Sequence, residues 1–173
     1  GPENRVAFGI IRAILAHLYL AWIHPFGDGN GRTARLMELH LLMESGVPSA
    51  AAQLLSNHYN QTRSQYYREL DAASRSGGDV IPFIRYALQG FLDGLREQIE
   101  FVKMQQVKVH LINYIYDAFR GKERVVDRRR RTLALELSNE LEPVAISDVR
   151  HITPRIAELY AGLSDKTLQR DIG

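Results

Sequence analysis

Cysteine is absent from the 173 residues. That excludes disulfides and thiolate metal sites within the chain and agrees with a cytoplasmic setting. A dominant charge is missing too: 22 Lys and Arg stand against 20 Asp and Glu, for a formal net charge of +2. So small an excess gives no global argument for nucleic-acid or membrane binding. Strand-like patterning is scarce, and Pro143 to Ile146 is the one short segment expected as a strand. No internal repeat is present. The long apolar run, Val6 to Ile23, is broken by Arg12 and His17, and a charged group at mid-bilayer is costly. The reading is therefore a core helix, with no membrane expected as a partner. No basic segment precedes the run and no small-residue cleavage site follows it, so no secretory signal is read there.

What is present is an ordinary globular composition, 45% hydrophobic and 24% charged, enough for a sizeable core in one domain or one and a half. Val6, Ile10, Ile11, Ile14, Leu15 and Leu18 recur at helical spacing, and Pro25 and Gly27 stop that helix. A second helix is expected over Thr33 to Glu44, ended by Gly46 and Pro48. A short one follows over Ala50 to Asn57, and a longer one over Gln61 to Ser74. Gly77-Gly78 marks a break. Val80 to Phe119 reads as one long helix or two joined, with Gly90 and Gly94 as weak points. Gly121 to Arg131 reads as a linker, with Arg128 to Arg131 as a solvated helix start, running into a helix over Thr132 to Glu142. Helices over Ile152 to Tyr160 and from Ser164 onward complete an all-α chain, divided into domains 1–119 and 120–173.

The chemistry concentrates in His24 to Arg35, HPFGDGNGRTAR. A glycine-rich loop opens directly into a helix, where several backbone N–H groups and the positive end of the helix dipole make an anion site. Glycine lets the backbone approach a phosphate with no Cβ in the way. Arg32 and Arg35 lie three apart on one helix face, and both guanidinium forks can hold phosphate oxygens. Asp28 offers a hard oxygen for Mg²⁺ shared with phosphates. His24, at the loop entrance, is placed as a general base. A plain helix–loop–helix turn needs none of these constraints.

The segment resembles the Fic signature, H-x-F-x-D/E-G-N-G-R-x-x-R, at His24, Phe26, Asp28, Gly29, Asn30, Gly31, Arg32 and Arg35. The resemblance implies a Fic helical core spanning about Val6 to Glu100. It also implies transfer of AMP from Mg²⁺-ATP to a Ser, Thr or Tyr hydroxyl of a target protein. His24 would be the base, Asp28 the Mg²⁺ ligand, and Gly29, Asn30 and Gly31 the anion hole. Arg32 and Arg35 would hold the β- and γ-phosphates, with Thr33 and Ala34 between them counted in the nucleotide-facing stretch. Phe26 would anchor the loop in the core. Tyr66-Tyr67 resembles the paired tyrosines beside the nucleotide base, with Ser74 near the same pocket; core packing makes similar demands on a tyrosine. The family's target-clamping flap has no counterpart in the five residues before Val6. Its inhibitory helix, S/T-x-x-x-E-G/N, has no full copy: Thr132…Glu136 and Ser138…Glu142 share only the spacing. Removal of AMP is an alternative, as is a DNA-binding regulator that senses nucleotide, and a homodimer is left open. Phosphate transfer as in the Doc branch goes with a lysine in the Gly31-Arg32 region of the loop, and Arg32 argues against it.

Ile152 to Gly173 reads as helix, turn at Gly162 and second helix capped by Ser164. That is a helix-turn-helix order resembling part of a winged helix. Lys166, Thr167, Gln169 and Arg170 on the second helix suit phosphate and base contacts, making DNA a candidate partner.

Overall fold

The computed structural model describes residues 2–140 and 142–173, with the side chains of 4–140 and 142–173. Helix dominates, and among the described residues there is no strand. The order is α1 (Pro2–Ile23), α2 (Asn30–Glu44), α3 (Ser49–Ala52), α4 (Leu54–Gln61), α5 (Arg63–Arg75), α6 (Ile81–Ala118), α7 (Val125–Leu137), a 3₁₀ turn (Val149–His151), α8 (Pro154–Leu159) and α9 (Asp165–Ile172). Two compact units result, Gly1–Ile99 and Glu100–Gly173, and the division falls within α6.

In the first unit, Ala13, Ile14 and Leu18 of α1 meet Leu42 of α2, Leu55 and Tyr59 of α4, and Phe83 of α6 in one core. α1 is long and apolar enough by composition to cross a membrane, yet its buried stripe packs on α2. Its Arg12 pairs with Glu44 of α2 at 2.7 Å. α1 stops at Ile23 because His24 precedes Pro25, and the residue before a proline is disfavoured in the helical region. The expected weak point at Gly90 does not interrupt α6, which runs unbroken for 38 residues. The glycine instead makes room: a Cβ there would overlap the ring of His58 from α4.

The second unit has its own core of Leu133, Val149, Ile156, Tyr160 and Leu168. Several expectations are corrected here. Pro143 to Ile146 forms no strand but an irregular segment entering a turn, as no neighbouring strand supplies a ladder for its backbone. The arginine run is not a linker, since α7 begins at Val125 and contains Arg128 to Arg131. Nor is the run simply solvated. Arg129 and Arg130 both bind the buried carboxylate of Asp171, at 2.6 and 3.0 Å, and Tyr160 donates its hydroxyl to the same group at 3.2 Å. α7 ends at Leu137, before the expected Glu142, and Leu141 lies outside the described residues.

Candidate active site

The site begins where α1 ends. The His24 N–H still bonds the Leu20 carbonyl at 3.0 Å, closing the last turn, but its φ is +49°. A non-glycine residue in the left-handed region costs about 1–2 kcal/mol, and such strain collects at functional sites. The conformation sends the chain sharply away from α1 and leaves the imidazole exposed.

The loop from Pro25 to Gly29 is organised by Asn30, the first residue of α2. Its buried side chain accepts from the Phe26 N–H at 2.9 Å and donates back to the Phe26 carbonyl. This replaces the expected anchoring by the Phe26 ring, which is 48% exposed. It also gives the Asn30 amide group a structural task within the loop. Gly29 precedes the helix at φ +89°, where a Cβ would be strained, and no side chain caps α2. The Asp28 carboxylate takes the Gly29 N–H at 2.6 Å instead. The first-turn N–H groups of α2, orphaned as in any helix, are thus left to an incoming acceptor.

Arg32 reaches back to Asp28 at 2.8 Å in an exposed pair. Arg35 is half-buried, its guanidinium lying 3.8 Å from where a Cβ on Gly31 would stand. Loop and arginines therefore gather Asp28, Arg32 and the N-terminal turn of α2 at one end of the helix. The Thr33 hydroxyl bonds the Gly29 carbonyl at 3.1 Å and stiffens the helix start. Ala34 faces the other way: it is fully buried, because the α2 stripe Asn30, Ala34, Glu38, Leu42 is the face turned to the core. Its side chain cannot touch a nucleotide.

The two tyrosines separate. Tyr66 is 5% exposed, with the rings of Tyr59, Tyr67, His17 and Phe83 within 6.4 Å of its own. It has no open face on which a base could stack. Burial pushes its phenol up to about 12, against the pull of the Arg35 guanidinium. Tyr67 is 55% exposed, with the Arg63 guanidinium 5.8 Å from its ring centre. Ser74 is exposed on the last turns of α5.

Beneath these groups lies a polar cluster that sequence reasoning missed. His17 Nε2 meets the Tyr66 hydroxyl at 2.9 Å, His17 Nδ1 faces Glu38 Oε2 at 3.4 Å, and Tyr59 donates to Glu38 Oε1 at 3.0 Å. His17 and Glu38 are both buried. The signal was the place of Glu38 on the apolar stripe between Ala34 and Leu42, where a carboxylate needs a partner. A separate cleft of about 680 Å³ lies between α4, α5 and the start of α6, lined by His58, Glu69, Asp79, Arg85 and Asp93 among others. It contains no residue of the His24–Arg35 loop, so the loop's own geometry defines the candidate site.

In the second unit, Arg150 closes the helix-turn-helix. It donates to the Tyr160 and Leu163 carbonyls at 2.9 and 2.8 Å and to Asp165 at 2.9 Å. Lys166, Gln169 and Arg170 are exposed on α9, while Leu168 is buried. Ser164 stands at the N-cap as expected, but its hydroxyl meets Thr167 Oγ1 at 3.2 Å and caps no backbone N–H.

Comparison with known proteins places the likeness on this loop and its flanking helices. The Fic/DOC family pattern matches residues 7–42. The chain is 44% identical over 77 residues to protein adenylyltransferase fic-1 of Caenorhabditis elegans, which is 44% of this chain and 14% of that protein. It is 47% identical over 74 residues to protein adenylyltransferase Fic of Drosophila mojavensis, covering 43% and 13%. The protein of the same name from Nematostella vectensis is 45% identical over 74 residues, covering 43% and 16%. The matched segment thus spans a small part of each relative's length. No solved structure matches.

Proposed function

We propose that this chain, whose residues 7–42 match the Fic/DOC family pattern, transfers AMP from ATP to a hydroxyl side chain of a target protein. The observation that carries this reading is the uncapped first turn of α2, entered through left-handed Gly29 and flanked by Arg32, with a strained, exposed His24 at the other end of the same short loop. Relatives named protein adenylyltransferase support it.

In the proposed reaction His24 takes the proton from the target's Ser, Thr or Tyr hydroxyl. The freed oxygen attacks the α-phosphorus of ATP, and the bond to the bridging oxygen of pyrophosphate breaks. The negative charge on the phosphates falls to the Gly29–Arg32 backbone and to Arg32 and Arg35. Positioning plus electrostatic stabilisation is the physical core of such chemistry. Tyr67, rather than Tyr66, is the aromatic with a face to offer the base.

Mg²⁺ fits this site in one form. Asp28 is a lone, 91% exposed carboxylate, and among the described residues there is no group of three metal-binding side chains. Mg²⁺ keeps several waters and is held through one or two carboxylates plus substrate phosphates, so Asp28 would hold an ion that arrives with the nucleotide. That ion would neutralise charge developing on the phosphates.

The test is mass spectrometry of lysate proteins incubated with the chain and labelled ATP, beside His24→Ala. Adenylylated peptides that vanish with His24→Ala, while calorimetry still finds ATP binding, are the expected result. Label incorporation by His24→Ala removes His24 from the role of base. Loss of AMP from already modified proteins would point to the reverse activity.

We also infer that the α8–α9 pair contacts DNA through Lys166, Gln169 and Arg170. The exposed polar and basic face of α9, set on a turn locked by Arg150, supports this second role.

A further inference from the structure

We propose that His17, Glu38 and Tyr66 form a buried positioning network that sets where His24 stands relative to the phosphate-facing turn of α2; the assignment rests on the transfer reading above.

The register of the two helices carries the argument. His17 lies seven residues before His24 on α1, and Glu38 lies seven residues after Gly31 on α2. Seven residues are about two turns, or roughly 10 Å. The contact between Nδ1 of His17 and Oε2 of Glu38 therefore sits two turns from the base on one helix and two turns from the anion turn on the other. α1 is continuous up to Ile23, and the His24 N–H still belongs to its last turn, so a rotation or slide at His17 is passed on to His24. α2 is equally continuous from Asn30 to Glu44.

Packing alone asks for nothing polar here. Ile14 and Leu18 of α1 and Ala34 and Leu42 of α2 surround the pair with apolar, fully buried groups. Apolar residues in place of a buried ion pair are often neutral or stabilising. What apolar faces lack is direction: they tolerate small slides that the hydrogen bonds of His17 to Tyr66 and of Tyr59 to Glu38, with the 3.4 Å polar contact between them, do not. A misplacement near 1 Å can cost a catalytic site about a hundredfold. The network also extends to the third element of the site. The Tyr66 hydroxyl ties α5 to His17 at 2.9 Å, and the neighbouring Tyr67 carries the exposed ring. When Tyr66 donates to Nε2, the ring proton of His17 sits on Nδ1 and faces Glu38, so one arrangement of protons serves both contacts. Tyr59, whose phenol is held protonated by burial and by Glu38, donates to the other carboxylate oxygen.

Tyr66→Phe, Glu38→Leu and Glu38→Gln test the proposal in the intact chain, below the melting midpoint of every variant. The readouts are kcat for AMP transfer, ATP affinity by calorimetry, and amide hydrogen exchange of residues 24–33. Tyr66→Phe removes one oxygen and serves as the decisive variant should Glu38→Leu fail to fold. The expected result is a folded Tyr66→Phe chain with unchanged ATP affinity, kcat lower by about tenfold, and faster exchange in the loop. Glu38→Leu behaves alike, and Glu38→Gln, which keeps one acceptor oxygen for Tyr59 and a polar atom toward His17, recovers part of the rate. Wild-type kcat and loop exchange in Tyr66→Phe and Glu38→Leu overturn the proposal. So does a kcat loss matched by the fraction unfolded. A wild-type chain that binds no ATP removes the transfer reading instead. Loop exchange then decides alone: faster exchange in the variants keeps the network as the element holding His24, and unchanged exchange overturns it.

Discussion

Asn30→Ala isolates the part of the site that belongs to folding rather than chemistry. The substitution deletes both side-chain hydrogen bonds to the Phe26 backbone, leaving an N–H and a carbonyl unpaired in a partly buried place. At about 1 kcal/mol net for each bond the loss is about 2 kcal/mol. Alanine's better helix propensity at the first position of α2 returns up to about 0.5 kcal/mol, so the loop is expected to lose about 1.5 kcal/mol. One factor of ten corresponds to 1.36 kcal/mol, and the opened loop should thus gain roughly tenfold in population. Because the loop is exposed and the core cluster does not include it, the melting midpoint should move little. Amide exchange of residues 26–33 should speed up by about tenfold, and kcat/KM should fall by no more than that factor. Asn30→Asp is a sharper variant: it keeps the bond from the Phe26 N–H, loses the donor to the carbonyl, and adds a negative charge beside the anion turn. It should weaken ATP binding more than Asn30→Ala does. Exchange unchanged in Asn30→Ala, together with wild-type turnover, would refute the reasoning that Asn30 shapes the loop.

Asp28→Ala and Arg32→Ala should each weaken Mg²⁺-ATP binding in calorimetry yet leave the melting midpoint nearly unchanged, since an exposed ion pair contributes under about 1 kcal/mol. Equal nucleotide affinity in both variants would contradict their assigned roles. Asp171→Asn should destabilise the second unit by about 3 kcal/mol, because it strips Arg129 and Arg130 of their shared buried partner; denaturant melts measure it. Burial acts to raise the Asp171 carboxyl, but hydrogen bonds from Arg129 and Arg130 outweigh it and hold the group below its ordinary 3.8. The sign follows: this contribution is present above pH 3.8 and fades as pH falls through the lowered folded value. A wild-type acid-unfolding profile that Asp171→Asn fails to alter would exclude it. For α9, duplex binding should weaken steeply with salt, and Lys166→Ala and Arg170→Ala should each flatten that slope. An unaltered slope in both would leave α9 a packing or protein-docking element.

The sequence by itself determined the all-α class, the placing of most helices, and the twelve-residue loop. These are local matters: apolar period, proline and glycine stops, and a dense run of constrained residue types speak within a few turns. It did not place Phe26, Ala34 or Tyr66. An aromatic or an alanine reads alike in sequence whether it faces core or solvent; helix packing decides which stripe holds Ala34 and Tyr66, and the Asn30 hydrogen bonds decide how the loop carries Phe26. Ends of helices were least legible. α2 begins three residues before the expected Thr33 because left-handed Gly29 and the Asn30 side chain let the helix start inside the glycine loop. α7 takes in the arginine run because a carboxylate more than forty positions along the chain neutralises two of its members. Tertiary structure alone decided the His17–Glu38 contact, since it joins residues of separate helices 21 positions apart. No periodicity within either helix encodes which polar partner a buried charge will meet. That choice is made only when both helices bury the same face against each other.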